Sequence, residues 1–425
     1  MEIWLVYPYG SIPGEGFRPD RANMLGEKLA QVGHKVTWWG SNFEHRTKKF
    51  RSNDWKDIHV SANLTTRLVP TTGYKKNISF NRIRSEIKFG KQILSKWKTF
   101  EKPDMIIMAE PSLFVCRRIM KIVKASKATI ILDLGDLWPE LFHIILPQKL
   151  FKLGYLLFYP LYERRRKLFN KVDAIIAINN SYLELARKIA PKLNEVTSVT
   201  VYFGMDVELQ RELMKKSEAL PAAIKKIQKK DDEVWVIYAS TLGINYDVNT
   251  LLETCKELEK GNVNVKVIIA GAGPLSEYVR KFIEENKLEK TLYLGNPDTE
   301  AMAALYDFCD IGLSMYVRSS TVSMPIKAFH YFASGLAVIN SLKNDLEKIL
   351  KENEAGLNYE PENVQSLIQA IKTLVENKDL RKKMTSNSFR LGMLYDINNQ
   401  YDKFLGVIEN LQNKRNNDIL QSINS

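Results

Sequence analysis

Lys327 and His330 stand three residues apart inside "SMPIKAFHYFASGLAVI", residues 323–339. The stretch reads as a loop, a short amphipathic helix, Gly335 and a buried strand. Pro325 suits the first helical turn and Gly335 its end. A loop-to-helix turn of this kind offers free backbone N–H groups and a positive dipole end, which together hold anions such as phosphate. Lys327 adds a full positive charge one turn in. His330 shares its helix face, while Phe329 and Phe332 point towards a core. A ribose is best held by a carboxylate, which can accept two hydrogen bonds; a neutral imidazole can donate or accept only one. His330 stands where such a carboxylate would be wanted, and packing at the domain surface is its plainer alternative.

Three further stretches carry groups that could do chemistry. In "YPYGSIPGEGFRPDRANMLGEKLA" (7–30), Gly14 and Gly16 precede Arg18 and Arg21. Glycines there let a backbone approach a phosphate or sugar, but a flexible loop with surface arginines fits equally. In "VIIAGAGPLSEYVRKF" (267–282), Gly271 and Gly273 follow an apolar run. A lone G-x-G is weak evidence for a nucleotide, and a tight strand-to-helix turn is the plainer reading. In "ILDLGDLWPELF" (131–142), Asp133 and Asp136 close a strand. Either could act on a sugar hydroxyl or cap a helix; Asp136, further out of the sheet, is the stronger candidate. The five histidines are scattered and show no metal-ligand spacing. Cys116, Cys255 and Cys309 show no paired spacing, which suggests a reducing compartment.

These groups need a scaffold, and the chain is long enough for two domains: 425 residues exceed one ordinary core. Apolar runs at 3–8, 35–40, 104–110, 129–135, 173–179 and 199–204 alternate with helical stretches. Continuous apolar strands with helical crossovers predict a parallel sheet covered on both faces. The alternation restarts at 234–240, 265–271, 291–296, 310–315 and 336–340. The expectation is an N-terminal Rossmann-like domain over 1–207, a polar linker over 208–233 and a second doubly wound domain over 234–395. A helix with a polar tail follows over 396–425 and is expected to pack back on the first domain. Ligands of such sheets bind beyond the carboxyl ends of the strands, so a cleft between the domains is the expected site.

The net charge of +13 is concentrated. Residues 74–102 hold nine Lys/Arg against two Glu, and residues 149–171 hold seven against one. Both segments interleave bases with large apolar residues, the pattern of a segment that lies on an anionic membrane. Each base near such a surface contributes about 1 kcal/mol. Arg164, Arg165 and Arg166 are the named candidates for that contact; two ordinary solvated helices are the alternative. No nucleic-acid motif accompanies the charge. No apolar run reaches the roughly 20 residues of a membrane span, and "MEIWLVYPYG" reads as a first strand, not a signal peptide. A cytoplasmic protein, peripheral on the inner membrane face, is the expectation.

The quoted stretches, with "YASTLGINYDVNTLLETCKEL", "YLGN" and "EAMAALYDFCDIGLSM", give a resemblance that no single motif decides; their order and spacing do. From residue 1 to about 410 the chain resembles bacterial retaining glycosyltransferases of family four. That family has the GT-B fold, two facing Rossmann-like doubly wound parallel-sheet domains. The resemblance implies a second domain that binds a nucleotide-diphosphate sugar and a first that receives the acceptor. Here the acceptor would be a lipid-linked glycan in the synthesis of capsule, O-antigen or another surface polysaccharide. Carried over, Ser323, Met324 and Lys327 lie nearest the diphosphate. Leu294 and Gly295 face the base through backbone groups. Ser240, Thr241 and Gly243 line the phosphate side with Gly271 and Gly273, and Gly14, Gly16 and Arg18 close over it from the first domain.

The chain departs from the family pattern twice. Two glutamates with seven residues between them are usual, the second binding the ribose; here Val322 and His330 occupy those places. The basic pair often found after the first strand of the second domain is missing from "STLGINYD". Lys327 and Arg318 then carry the countercharge. The resemblance implies no metal, cofactor or covalent nucleophile: the departing phosphate takes the acceptor proton while attack comes from the same face. Lys327 would stabilise the leaving diphosphate, and Asp136 would orient the acceptor or donor sugar. Two other readings stand beside this one. A non-catalytic partner or chaperone of a transferase is favoured by both departures, and a sugar-nucleotide epimerase shares the fold. Hydrolysis of nucleotide sugars by the purified protein separates all three.

Overall fold

The apolar runs of the first half pair side by side into one sheet in a computed structural model. The structure describes residues 1–423 except 16–19, 111, 147–149, 228 and 262. The strands are β1 (Glu2–Val6), β2 (Lys35–Ser41), β3 (Lys56–Ser61), β4 (Leu64–Val69), β5 (Met105–Glu110), β6 (Thr129–Leu134), β7 (Ala174–Ala177) and β8 (Ser198–Thr200). Their order is β3-β4-β2-β1-β5-β6-β7-β8. All neighbours are parallel except β3 and β4. That hairpin has no long apolar run, because an edge strand needs only one dry face: β3 reads Lys-Asp-Ile-His-Val-Ser, with no residue fully buried. The central strands are dry on both faces. Ile3, Leu5, Ile106, Ile107, Ile131 and Ile176 are each inaccessible to solvent, and each such side chain contributes about 1.5–3 kcal/mol of burial.

The second half forms β9 (Val234–Ala239), β10 (Val265–Ala270), β11 (Thr291–Tyr293), β12 (Ile311–Ser314), β13 (Ala337–Asn340) and β14 (Gly356–Asn358). They are parallel throughout, in the order β11-β10-β9-β12-β13-β14. The order reverses at β9, the first strand of the unit, and ligands of such sheets bind at that reversal.

The chain divides into two compact units, residues 1–202 with 401–425, and residues 203–400. The stretch expected to be a polar linker is structured and belongs to the second unit. It begins with the helix Val207–Met214, whose N-cap Asp206 accepts from Leu209 N. Further along, Ile224 is buried, an anchor that a free linker would not have.

Each unit has its own core. Trp4, Trp39, Phe89 and Phe169 fill the first around β1, β5 and β6. Tyr238, Leu251, Leu313 and Ile339 lie in the second.

Candidate functional site

The helix Ile326–Ser334 is set in place before it does any chemistry. Tyr331 is fully buried, accepts from Ala239 N and donates to the Leu313 carbonyl, tying the helix to the ends of β9 and β12. Its ring fills the space above Gly312, where any Cβ would meet it at 2.6 Å. Gly335 ends the helix at φ 70°, the left-handed cap. Pro325 is the N-cap residue, and no side chain caps the start of the helix. One turn before Tyr331, Lys327 is thereby carried to the carboxyl ends of β9 and β10.

There it lines a cavity of about 300 Å³ with Ser240, Thr241, Gly271, Asn296, Tyr306 and His330 among its walls. Lys327 Nζ donates to Ser240 Oγ at 2.6 Å. It lies 5.1, 5.0 and 4.9 Å from the ring centres of Tyr238, Tyr246 and Tyr316. Among the described residues no carboxylate pairs with it. Burial without a countercharge pulls its pKa down to about 7. Three aromatic faces attract the cation but cannot neutralise it, so the cavity presents a positive charge that an anion would complete. His330 is half-buried on the same wall, its ring 6.1 Å from that of Tyr306.

The sequence-derived donor set divides. Ser240, Thr241, Gly271, Lys327 and His330 come together around the cavity. Gly271 also packs for steric reasons: a Cβ there would lie 1.8 Å from the Ser240 carbonyl oxygen. Gly273 does not line the cavity; a Cβ on it would meet the Leu242 carbonyl at 2.3 Å, and its N–H bonds Ser276 Oγ. The plainer reading of the G-x-G, a tight strand-to-helix turn, therefore accounts for Gly273.

Gly295 accepts from Gly271 N and precedes the lining Asn296. Leu294 N bonds Ile269 O at the sheet end, and Gly243 stands outside the lining.

Three expectations are corrected. Ser323 is buried against the helix Asp345–Glu352, where its Oγ accepts from Asp345 N and its carbonyl from Leu346 N. Met324 is likewise buried outside the cavity wall. Both precede the helix, and the chain turns inward there before Ile326 and Lys327 emerge. Arg318 is drawn off to Glu360 and Glu362, which it meets at 2.5 and 3.9 Å, so its charge is already compensated away from the cavity.

In the first unit, Gly14 sits in a turn at φ 91°, while Gly16 and Arg18 lie outside the described residues. Asp133 is a structural anchor, since Arg21 bonds both its oxygens at 2.6 and 2.8 Å and Tyr7 donates to it. Asp136, beyond the strand end, is exposed and makes no hydrogen bond or ion pair among the described residues. Crowding by the surrounding protein raises its pKa, against the opposing pull of Arg82.

Sequence reasoning missed Glu110, the last residue of β5. It is fully buried, and neither carboxylate oxygen has a partner among the described residues. Burial raises its pKa well above the ordinary range; Arg165 opposes this, and Glu140 and Asp136 reinforce it. A polar residue closing the apolar run "MIIMAE" was the available signal.

The basic segment 149–171 is corrected at one position. Arg165 is buried, bonds Glu140 through two nitrogens and donates to the Trp138 carbonyl. It holds the "LWPE" turn and is not a surface base. Arg164 and Arg166 are exposed, and Arg166 pairs with Glu163. The helix Phe151–Leu157 adds an outward apolar face, with Leu156 73% and Leu157 62% exposed.

Residues 221–390 match the family model of glycosyl transferases group 1. The chain is 24% identical over 394 residues to chitobiosyldiphosphodolichol beta-mannosyltransferase of Kluyveromyces lactis, covering 84% of this chain and 83% of the relative. Among solved structures it resembles sucrose-phosphate synthase from Thermosynechococcus elongatus, with a TM-score of 0.68, 15% identity and 99% of each chain covered. It also resembles Anabaena HepE in complex with UDP, with a TM-score of 0.66, 13% identity, and 96% of this chain and 100% of that one covered. The two sheets, parallel apart from the β3–β4 hairpin, are thus those of the GT-B fold, and with the group 1 match over residues 221–390 the chain is a glycosyltransferase.

Proposed function

We propose that this glycosyltransferase moves a sugar, with retention, from a nucleotide-diphosphate sugar to a lipid-linked glycan on the cytoplasmic membrane face, in the synthesis of a cell-surface polysaccharide. The observation that carries the reading is Lys327, a cation with no carboxylate partner among the described residues, beside Ser240 in a cavity at the carboxyl ends of β9 and β10. A donor diphosphate in that cavity gains a charge-assisted bond from Lys327 and stays near the uncapped start of its helix. As the bond from sugar to phosphate breaks, negative charge grows on the leaving oxygen. A fixed cation and fixed N–H groups stabilise it without reorganisation. His330 on the same wall supplies one hydrogen bond to the ribose. The donor is held without a metal ion, so chelator-treated protein keeps its activity.

The relative's printed name, with its diphosphodolichol-linked sugar, supports a lipid-linked acceptor. The exposed leucines of Phe151–Leu157 beside Arg164 and Arg166 support docking on an anionic membrane. Among the described residues no helix is long and apolar enough to cross a membrane.

Asp136 favours a second reading. An exposed carboxylate with a raised pKa and no ion-pair partner has what a general base needs, and a base that deprotonates the acceptor would give inversion. Proton NMR of the first-formed product decides: the donor's anomeric configuration supports retention, and the opposite one assigns the base role to Asp136. Transfer itself is tested with Lys327→Ala. Loss of a charge-assisted bond costs about 1.5–3 kcal/mol, a roughly tenfold to hundredfold drop. Unchanged turnover would refute the site.

A further inference from the structure

The first unit contains a second cavity, at the end of its sheet opposite the catalytic candidates. Its volume is about 440 Å³, within the range of small-molecule sites. It opens where β6 and β7 begin, between the end of the helix Leu113–Ser126 and the chain's last helix, Ile397–Ile423. Lys124, Lys127, Lys171, Lys414 and Arg415 line it, against one carboxylate, Asp173. Three separate stretches of chain contribute these charges.

The ordinary explanations account for only part of this charge. Asp173 accepts from Ile130 N at 2.8 Å and counts once. Arg415 donates to the Asp104 carbonyl at 2.7 Å, with the Asp104 carboxylate 3.8 Å away, so Asp104 offsets one more. The helices Leu113–Ser126 and Tyr159–Phe169 end on this side. Each helix end has a partial charge of about −0.5, which Lys124, Lys127 and Lys171 partly complement. Five bases less two carboxylates and two helix ends leave an excess of about two positive charges around one cavity. The lysines need no anion to stay in water, but their convergence on a concavity concentrates potential there.

We propose that this cavity binds a phosphate-rich anion, a di- or triphosphate group either free in solution or on a lipid headgroup, at a site separate from the donor cavity. Lys124 and Lys414 approach from opposite helices and hold the phosphates by charge-assisted bonds. The apolar floor, which includes Leu411, has room for the group that the phosphates carry. The site acts independently of the donor reaction, since none of its residues lines the cavity around Lys327.

The test uses the full chain and sodium tripolyphosphate as the soluble probe, read by hydrogen exchange at residues 123–130 and 411–417. Protection of both segments is expected on adding the probe, and it should persist in Lys327→Ala, which disables only the donor cavity. Lys124→Glu with Lys414→Glu should weaken that protection about tenfold or more, while nucleotide binding and donor hydrolysis stay at wild-type values. The milder pair Lys124→Gln and Lys414→Gln gives the same direction if charge reversal disturbs the fold. In a parallel arm, vesicles of phosphatidylcholine with diacylglycerol pyrophosphate are compared with phosphatidylcholine alone. If the wild type protects these segments only with the acidic vesicles and the double variant loses it, the anion is a headgroup. The proposal is overturned if neither probe protects the segments, or if the double variant responds as the wild type does.

Discussion

Nucleotide-sugar binding should draw a proton from solution, and Lys327 should be its destination. In the empty protein the ammonium is buried beside three tyrosine rings without a carboxylate, and its pKa is about 7. At pH 7 the group is then about half protonated, at pH 8 about one-tenth, and at pH 6 about nine-tenths. A bound diphosphate places negative charge against Nζ, favours the ammonium and raises the pKa. Uptake on binding should therefore be about 0.1 proton at pH 6, 0.5 at pH 7 and 0.9 at pH 8. Affinity should fall as pH rises above 7, approaching about tenfold per unit.

Calorimetric titration in buffers of different ionisation enthalpy reads the uptake directly. The probe should be a nucleotide sugar such as UDP-glucose, because its diphosphate has no proton to exchange near neutrality. Lys327→Met keeps most of the side-chain volume and should abolish both the Lys327 uptake and its pH dependence. The same depressed pKa has a stability consequence of definite sign. Between about pH 7 and the unfolded value of 10.5 the unfolded chain binds more protons at this residue, so Lys327 makes stability rise with pH there. The Met variant should lose that rise and melt higher than wild type at neutral pH. A binding enthalpy that is the same in every buffer at pH 8, or an uptake that survives in Lys327→Met, would refute the reasoning.

His330→Glu should preserve or tighten nucleotide binding, because a carboxylate offers two acceptor sites, whereas His330→Ala should weaken it by about 1 kcal/mol; equal affinities in titration would remove His330 from the site. Leu156→Ser with Leu157→Ser should release the protein from anionic vesicles in co-sedimentation without lowering its melting temperature, since both leucines already face solvent. Arg165→Ala should instead destabilise by about 1–3 kcal/mol, because it removes buried bonds to the Trp138 carbonyl and to a partly exposed Glu140; a melting curve like the wild type's would refute its role as a strut. Glu110, with its pKa raised, binds protons that the unfolded chain releases above about pH 4.5, so its contribution makes stability fall as pH rises. Glu110→Gln should be more stable than wild type at pH 7 to 8, with the gap closing in acid; parallel denaturation curves at all pH values would count against it.

The sequence by itself determined the doubly wound architecture and that one short helix would carry Lys327 and His330 together. Those features follow from local pattern. A run such as "VWVIYAS" is dry on both faces only in a covered parallel sheet, and Lys327 and His330 share a helix face through their spacing alone. The β3–β4 hairpin escaped because an edge strand needs one dry face, and its period-two signal is short and polar. Only the tertiary structure decided which charges are free. Arg318 and Arg165 look like Lys327 in a list of bases, yet Glu360 and Glu140 bind them, while Lys327 is left with hydroxyl and aromatic neighbours. The basic cavity at Lys124 and Lys414 was equally invisible, and the polar end of "MIIMAE" marked Glu110 without showing that its carboxylate lacks a partner. Partners tens to hundreds of residues apart fix desolvation and pairing, and those long-range contacts turn a charged side chain into a strut, a surface base or a binding group.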